Sequence, residues 1–288
     1  DRDIGENGRI SYSIVEGNDE AKFGIFPDGM VYVRSQLDRE TKDYYALTVM
    51  ARDGGTPARS SSVSITVHVV DENDNAPKFT NETFVFHLPE NEPPDTYVGR
   101  LTASDRDIGR NAELTFSLVT AQNDFALDPK SGFLKTLRYF DREKLLQASG
   151  QDHIVLEAMV SDNGVVRLRD RARIHVVVID VNDNAPFLET TRVVWRENQP
   201  PGRIAPLNAS DYDEPQNGPP FTMRMAETAE DDVKASFRVD GITGVSWSLM
   251  AIRTFDREAR KEFAVPIVIT DAGQPSMTAT STLTVVIG

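Results

Sequence analysis

Three stretches of the chain alternate apolar and polar residues. Val63, Ile65, Val67 and Val69 do so first, then Ala172, Ile174, Val176 and Val178, and finally Leu283, Val285 and Ile287. A period of two puts one face of an extended strand in a core and leaves the other in water. Shorter runs obey the same rule, among them Ile10-Ser11-Tyr12-Ser13-Ile14 and Leu114-Thr115-Phe116-Ser117-Leu118. Gly, Pro and Asn punctuate them. Many short strands at regular spacing predict an all-β protein of Greek-key sandwiches. One short helical turn is expected near residues 142–148.

Each long alternating strand closes one copy of a larger repeat. The copies span residues 1–75, 76–184 and 185–288. Their period of roughly 105–110 residues is that of whole domains, not of solenoid units. The same landmarks recur in order. First comes Asp-x-Asp at Asp1/Asp3, Asp105/Asp107 and Asp211/Asp213, with Asn7, Asn111 and Asn217 a few residues on. An apolar residue followed by Asp-Arg-Glu comes next, at Asp38-Arg39-Glu40, Asp141-Arg142-Glu143 and Asp256-Arg257-Glu258. Then Asp53, Asp162 and Asp271 each stand near a glycine after an apolar strand. Copies two and three open with a strand ending in Glu-Asn, at Glu90-Asn91 and Glu197-Asn198. Copy one has no counterpart, so its first strand and part of its second are expected to be missing. That would leave core edges uncovered and make it the least stable unit. No signal peptide precedes Asp1, and the chain is expected to be an excised piece of something longer.

Between copies lie two nearly identical linkers. Asp71-Glu72-Asn73-Asp74-Asn75-Ala76-Pro77 returns as Asp180-Val181-Asn182-Asp183-Asn184-Ala185-Pro186. Asp, Asn and Pro are depleted in strands, so these segments are connectors rich in oxygen donors. The chain carries 45 acidic against 31 basic residues, a formal charge of −14. That balance excludes a nucleic-acid partner, whose phosphates demand a basic face. It contains no cysteine, which removes disulfides, thiolate metal sites and cysteine nucleophiles. No run approaches the ~18–20 apolar residues of a membrane-spanning helix.

If the sandwiches stack end to end, each linker meets acids from both neighbours. The second junction then gathers Glu90, Asp141, Glu143, Asp180, Asp183, Asp211, Asp213 and Asp271, eight carboxylates. Each like-charged pair costs on the order of 1–4 kcal/mol at 4 Å. Protonation or cations could relieve this. With Asn and carbonyl donors mixed in and no basic cluster, cations fit better. An all-oxygen set favours Ca²⁺ or Mg²⁺ over Zn²⁺ or Cu²⁺, and many protein ligands favour Ca²⁺, which takes six to eight oxygens. Roughly three divalent ions would bring eight negative charges to about −2. Read singly, any of these acids is a solvated loop or capping residue; the ordered repetition argues otherwise. A glycosidase acid–base pair is the enzymatic alternative. Acids repeated at junctions without aromatic platforms do not support it, and neither an enzyme nor a small-molecule substrate is expected.

Together, the Asp-x-Asn-Asp-Asn-Ala-Pro linker, the Leu/Phe-Asp-Arg-Glu motif and Asp-x-Asp resemble cadherin extracellular repeats across essentially the whole chain. The resemblance implies seven-stranded immunoglobulin-like sandwiches, about three Ca²⁺ per complete junction, and calcium-dependent cell–cell adhesion. It implies a first ion on Glu90, Asp141, Glu143 and Asp183. A second would sit on Glu90, Glu143, Asp180, Val181, Asp183 and Asp213, and a third on Asn182, Asn184, Asp211, Asp213, Asn217 and Asp271. The matching positions at the first junction are Asp38, Glu40, Asp71, Glu72, Asn73, Asp74, Asn75, Asp105, Asp107, Asn111 and Asp162. There the glutamate of copy one is absent. Asp1, Asp3, Asn7 and Asp53 form half a site at one end, and Glu197, Asp256 and Glu258 half a site at the other. The implied partner is another cadherin ectodomain on an apposed or the same cell. The implied location is the extracellular part of a single-pass plasma-membrane protein. A purely structural spacer remains the alternative role.

No tryptophan lies near Asp1, so the segment resembles internal or membrane-proximal repeats of a large, many-repeat cadherin. Trp195 and Trp247 are expected to pack within copy three. Arg39, Arg142 and Arg257 are expected to face solvent or pair locally. Two glycosylation sequons occur, Asn81-Glu82-Thr83 and Asn208-Ala209-Ser210, the second close to an acid cluster.

Overall fold

The computed structural model describes residues 1–242 and 246–288. In the middle repeat the strands are β6 (Lys78–Phe79), β7 (Thr83–Pro89), β8 (Tyr97–Arg100), β9 (Ala103–Ser104), β10 (Thr115–Leu118), β11 (Phe125–Leu127), β12 (Phe133–Thr136), β13 (His153–Ser161) and β14 (Arg169–Ile179), numbered from the chain start. They form a four-stranded sheet in the order β10-β13-β14-β7 and a three-stranded sheet in the order β11-β12-β8, with β6 paired to β9. With β6/β7 and β8/β9 each taken as one interrupted strand, this is a seven-stranded sandwich. The third repeat repeats the plan. Its strands are β15 (Phe187–Leu188), β16 (Arg192–Trp195), β17 (Gly202–Leu207), β18 (Ala209–Ser210), β19 (Thr222–Met225), β20 (Phe237–Ile242), β21 (Ser246–Ala251), β22 (Glu262–Thr270) and β23 (Thr278–Ile287). The sheets run β16-β23-β22-β19 and β17-β21-β20, with β15 paired to β18.

Apolar alternation explains the packing. Ala172, Ile174, Val176 and Val178 of β14 are all buried, and so are Leu283, Val285 and Ile287 of β23. They meet Phe84, Phe125 and Leu134 in the middle repeat, and Phe237, Leu249 and Phe263 in the third. Trp195 is buried in the third core, and Trp247 packs against it half-exposed. The helical turn expected near residue 142 is α1 (Arg142–Ser149). Asp141 caps it by accepting from the Lys144 amide, and Gly150 ends it in the left-handed conformation at φ 71°. A second short helix, α2 (Asp231–Lys234), lies in the third repeat.

The first repeat holds five strands, β1 (Ile10–Glu16), β2 (Phe23–Ile25), β3 (Val31–Val33), β4 (Tyr44–Asp53) and β5 (Ser60–His68). They pair as β1-β4-β5 and β2-β3. Because β1 follows the first Asp-x-Asp as β10 follows the second, nothing corresponds to β6 through β9. The loss is therefore larger than the sequence pattern predicts: the whole second strand is absent, not part of it. The cost is visible at Val63, which pairs with Val49 as Ala172 pairs with Ala158. Ala172 is 4% exposed, whereas Val63 is 60% exposed, because no opposing strand covers it. The expected inward alternation of β5 is thus only half realised, with Ile65, Val67 and Val69 partly buried. The buried cluster here is Phe23, Tyr45 and Leu47.

Local stability follows the density of buried contacts. Hydrogen exchange followed by mass spectrometry should therefore show β4 amides exchanging well before those of β13 and β22. Equal protection of all three strands would refute this account of the first repeat.

Candidate functional site

Strand register builds the junction. In the middle repeat β7 runs parallel to β14, from Thr83 beside Arg173 to Pro89 beside Ile179. The next residue on each strand is an acid, so the pairing delivers Glu90 to Asp180 at the head of the linker. The Glu90 amide donates to the Ile179 carbonyl at 2.9 Å. Its carboxylate then accepts from the Val181 amide at 2.8 Å and from the Arg142 amide at 2.7 Å. One buried side chain thereby ties together strand, linker and the Asp-Arg-Glu loop. Asn91 turns the chain away in the left-handed region at φ 62°, and its amide side chain donates to Asp183 at 2.6 Å.

Further acids close on this point from three sides. Glu90, Asp141 and Glu143 each present a carboxylate oxygen within 4.8 Å of the others, and so do Glu143, Asp180 and Asp213. The linker's Asn184 donates to both oxygens of Asp213 of the third repeat, at 2.6 Å from its side chain and 3.1 Å from its backbone. Asn217 donates to Asp180 at 2.5 Å, and Asn182 donates to Asp271 at 3.2 Å. Asp211 accepts from the Asp213 amide at 3.1 Å. Burial raises the pKa of Glu90, Asp211 and Asp213, and neighbouring carboxylates add to the shift. Glu143 is pushed up to about 8 by burial and by the charges of Glu90 and Asp180. Asp141 moves the other way, held low by its hydrogen bond to Lys144. Several oxygens here are buried without a hydrogen-bond partner among the described residues: Glu143 Oε1, Asp180 Oδ1, Asn182 Oδ1, Asp211 Oδ2 and Asp271 Oδ2.

The first junction has the same lower half. Asn75 donates to Asp107, Asn73 donates to Asp162, and Asn111 donates to Asp71. Asp105 accepts from the Asp107 amide at 3.0 Å. Glu40, Asp71 and Asp107 form the close triad. Asn73 Oδ1 and Asp105 Oδ2 are buried without a hydrogen-bond partner among the described residues. The upper half is thinner. Asp38 is exposed and turned onto its own loop, accepting from Thr41 and from the Glu40 amide. Asp74 is exposed, and so is Glu72, whose contribution is a carbonyl that accepts from the Asp74 amide. At the N-terminal end Asp1, Asp3 and Asp53 line one groove, and Asn7 lies beside Asp53 at Gly55. At the other end Glu197, Asp256 and Glu258 form an exposed triad.

Two features escape sequence reasoning. One is Arg142, which is 8% exposed rather than solvent-facing. Its guanidinium lies 3.8 Å from its neighbour Glu143 and 3.6 Å from Asp180, and it also bridges to Glu214 of the third repeat, so it pairs across the junction as well as locally. Arg39 is half-buried, pairs with Glu40 and Asp71, and donates to the Arg106 carbonyl at 2.8 Å. Arg257 alone matches the expectation of an exposed side chain. The other feature is glycine. A Cβ on Gly164 would come within 2.3 Å of the Asn73 side chain, and one on Gly273 within 2.3 Å of Asn182. These glycines leave room for the linker asparagine to dock. The only signal in the sequence is their constant spacing, two residues after Asp162 and Asp271.

Comparison with known proteins supports one reading of this geometry. The family model described as "Cadherin domain" matches residues 1–70, 84–179 and 191–288. Human Protocadherin Fat 4 is 34% identical over 99% of the chain, and dachsous of Drosophila melanogaster is 36% identical over 96%. Mouse Protocadherin-16 is 35% identical over the full chain. The chain spans only 6–8% of the length of these relatives. Among solved structures, mouse cadherin-23 EC22-24 superposes with a TM-score of 0.75 at 28% identity, covering 100% of this chain and 89% of that one. The protocadherin gammaB7 EC3-6 cis-dimer structure gives 0.79 at 25% identity, over 99% of this chain and 70% of that one. A chain of tandem all-β sandwiches, matched by one family model along most of its length, belongs to the cadherin family as ectodomain repeats of the Fat, dachsous and protocadherin type.

Proposed function

We propose that this chain is a calcium-stiffened segment of a cadherin ectodomain that serves calcium-dependent cell–cell adhesion. Its units divide at 75/76 and 184/185. Its partner is another cadherin ectodomain on an apposed or the same cell, and its parent is held at the plasma membrane. The observation that carries this reading is the set of buried oxygens at the junctions that have no hydrogen-bond partner among the described residues. A buried acceptor left unpaired costs about 1–3 kcal/mol, and more when charged. Their clustering among raised-pKa carboxylates calls for positive charge. Every donor is oxygen, the chemistry of a hard cation with a high coordination number.

Three ions satisfy the second junction. Glu90, Asp141, Glu143 and Asp183 would hold the first. Glu90, Glu143, Asp180, Asp183, Asp213 and the Val181 carbonyl would hold the second. Asp211, Asp213, Asp271, Asn182, Asn184 and Asn217 would hold the third. Glu90, Glu143, Asp183 and Asp213 each fall in two of these sets, so neighbouring ions would share ligands and the linker could not bend without loss of several contacts at once. The first junction retains the third set as Asn73, Asn75, Asp105, Asp107, Asn111 and Asp162, with Asp38, Glu40, Asp71, the Glu72 carbonyl and Asp74 above it. Calcium replaces carboxylate repulsion with shared ligation, and the repeats then hold their faces in fixed register. Extracellular modules bind Ca²⁺ at about 10⁻⁴–10⁻³ M, so the rod softens well below millimolar calcium.

Asp183→Ala should loosen the second junction selectively. Small-angle scattering of the unaltered chain should show an extended rod in calcium and a broader distribution in chelator; the variant should resemble the chelated form. Identical profiles with and without calcium would sink the proposal. Gly273→Ala should displace Asn182 and lower calcium affinity at the second junction by roughly tenfold in titration calorimetry, about 1.4 kcal/mol. Unchanged affinity would remove Asn182 from the ligand set.

Glu143 supplies a pH test. Its raised value means that, without calcium, the associated stability is fully present below about pH 4.5 and is lost as pH rises through about 8. Melting temperature in chelator should therefore fall between about pH 5 and about pH 8.5. In saturating calcium that fall should largely disappear, and in Glu143→Gln its part nearest pH 8 should shrink. A slope unaffected by Glu143→Gln would assign it to another group.

A further inference from the structure

Beside the second junction the third repeat carries a groove of about 580 Å³, within the ~300–1,000 Å³ range of small-ligand sites. Its walls include Trp247, Phe221, Pro219 and Pro220, with Asn208 and Glu189 at its polar side. Trp247 is held by three neighbours. It sits on β21 opposite Leu207 of β17 and Gly241 of β20. Its Nε1 donates to the Phe221 carbonyl at 2.8 Å. A Cβ on Gly241 would come within 2.8 Å of the ring, so the indole lies flat against that glycine. The ring is only half-buried, and what it leaves open forms part of the groove.

Asn208 follows the buried Leu207 directly, between β17 and β18, and is exposed. It is also the acceptor position of the sequon Asn208-Ala209-Ser210. We propose that Asn208 carries an N-linked glycan whose first N-acetylglucosamine lies in this groove against Trp247. The proposal rests on the ectodomain reading only in that the chain must pass through the secretory route. In the transfer, the Asn208 side-chain nitrogen bonds to the anomeric carbon of a lipid-linked glycosyl diphosphate. The bond from that carbon to the diphosphate oxygen breaks, and the nitrogen gives up one proton.

The groove chemistry suits that sugar. One face of a pyranose presents C–H groups, which pack on the electron-rich face of an indole. The opposite rim presents hydroxyls. Glu189, oriented by a 2.6 Å hydrogen bond from the Ser210 hydroxyl to its Oε1, keeps a second carboxylate oxygen to accept from them. Tethering at the groove edge raises the effective concentration, so a contact too weak to capture free sugar still holds an attached one.

Glycopeptide mass spectrometry on the chain secreted from mammalian cells should find Asn208 occupied, and Ser210→Ala should abolish occupancy while leaving Asn208 in place. Nuclear magnetic resonance of ¹³C-labelled sugars should show protons of the first N-acetylglucosamine shifted upfield by the indole ring current, and Trp247→Leu should return them. As a check that needs no variant, peptide N-glycosidase should release the Asn208 glycan several-fold more slowly from the native than from the denatured chain. An unoccupied Asn208 in secreted protein overturns the proposal. So does an occupied Asn208 with solvent-like shifts or with equal release rates. Calcium-dependent scattering reports on the junctions separately, so failure here leaves that result standing.

Discussion

Mutual repulsion among buried carboxylates is the constraint on which the rest of this molecule depends. Folding each sandwich brings Glu90, Asp180 and Asp213 out of water, each at 8% exposure or less. No sandwich core gains from that placement, and each buried like charge opposes it. Strands, turns and linker nevertheless bring carboxylate oxygens within 4.8 Å of one another. The fold therefore supplies an unfavourable field through its register, one that a cation of the kind proposed would relieve. Such an ion would act on the same atoms that join one repeat to the next.

Arg142 and Glu214 show that the protein itself supplies some of the opposing charge. The guanidinium lies against the acid cluster and reaches the next repeat, which partly offsets the field. Such a pair is buried enough to resist screening, yet too small to neutralise the whole group. It defines a preferred orientation without enforcing it. At the first junction Arg39 reaches only a backbone carbonyl of the next repeat, a weaker tie. The two junctions thus differ in their protein-only contacts as well as in their ligand sets.

Much of the architecture was legible in the residue pattern because burial has a period. Alternation in β14 and β23 predicted buried faces that the structure reproduces residue by residue. It failed at one end of β5, where Val63 has the right period but no strand over it: periodicity reports which face would be buried, not whether anything covers it. The acids were legible through repetition, since five landmarks recur in order. Their meeting was not, because it depends on the parallel register of β7 with β14, which no single segment encodes. Arg142 was misjudged for a related reason. Adjacent acids on the chain look like local partners, while Glu214 becomes a neighbour only after two domains dock. Gly164 and Gly273 carry no side chain, so their role appears only as space left for an asparagine.

The parallel pairing of the first and last strands has one more consequence, which concerns load. In the middle repeat the chain enters through β7 and leaves through β14, and seven residue pairs join them side by side. Tension along the rod pulls the two strands in opposite directions along their own axes. Every rung of the ladder is then sheared together rather than opened one at a time. Because Pro89 and Ile179 lead directly to Glu90 and Asp180, the same pull is handed to the acid-rich linker and to the next repeat. The third repeat reproduces the arrangement with β16 and β23. A repeat built this way yields by collective rupture rather than rung by rung.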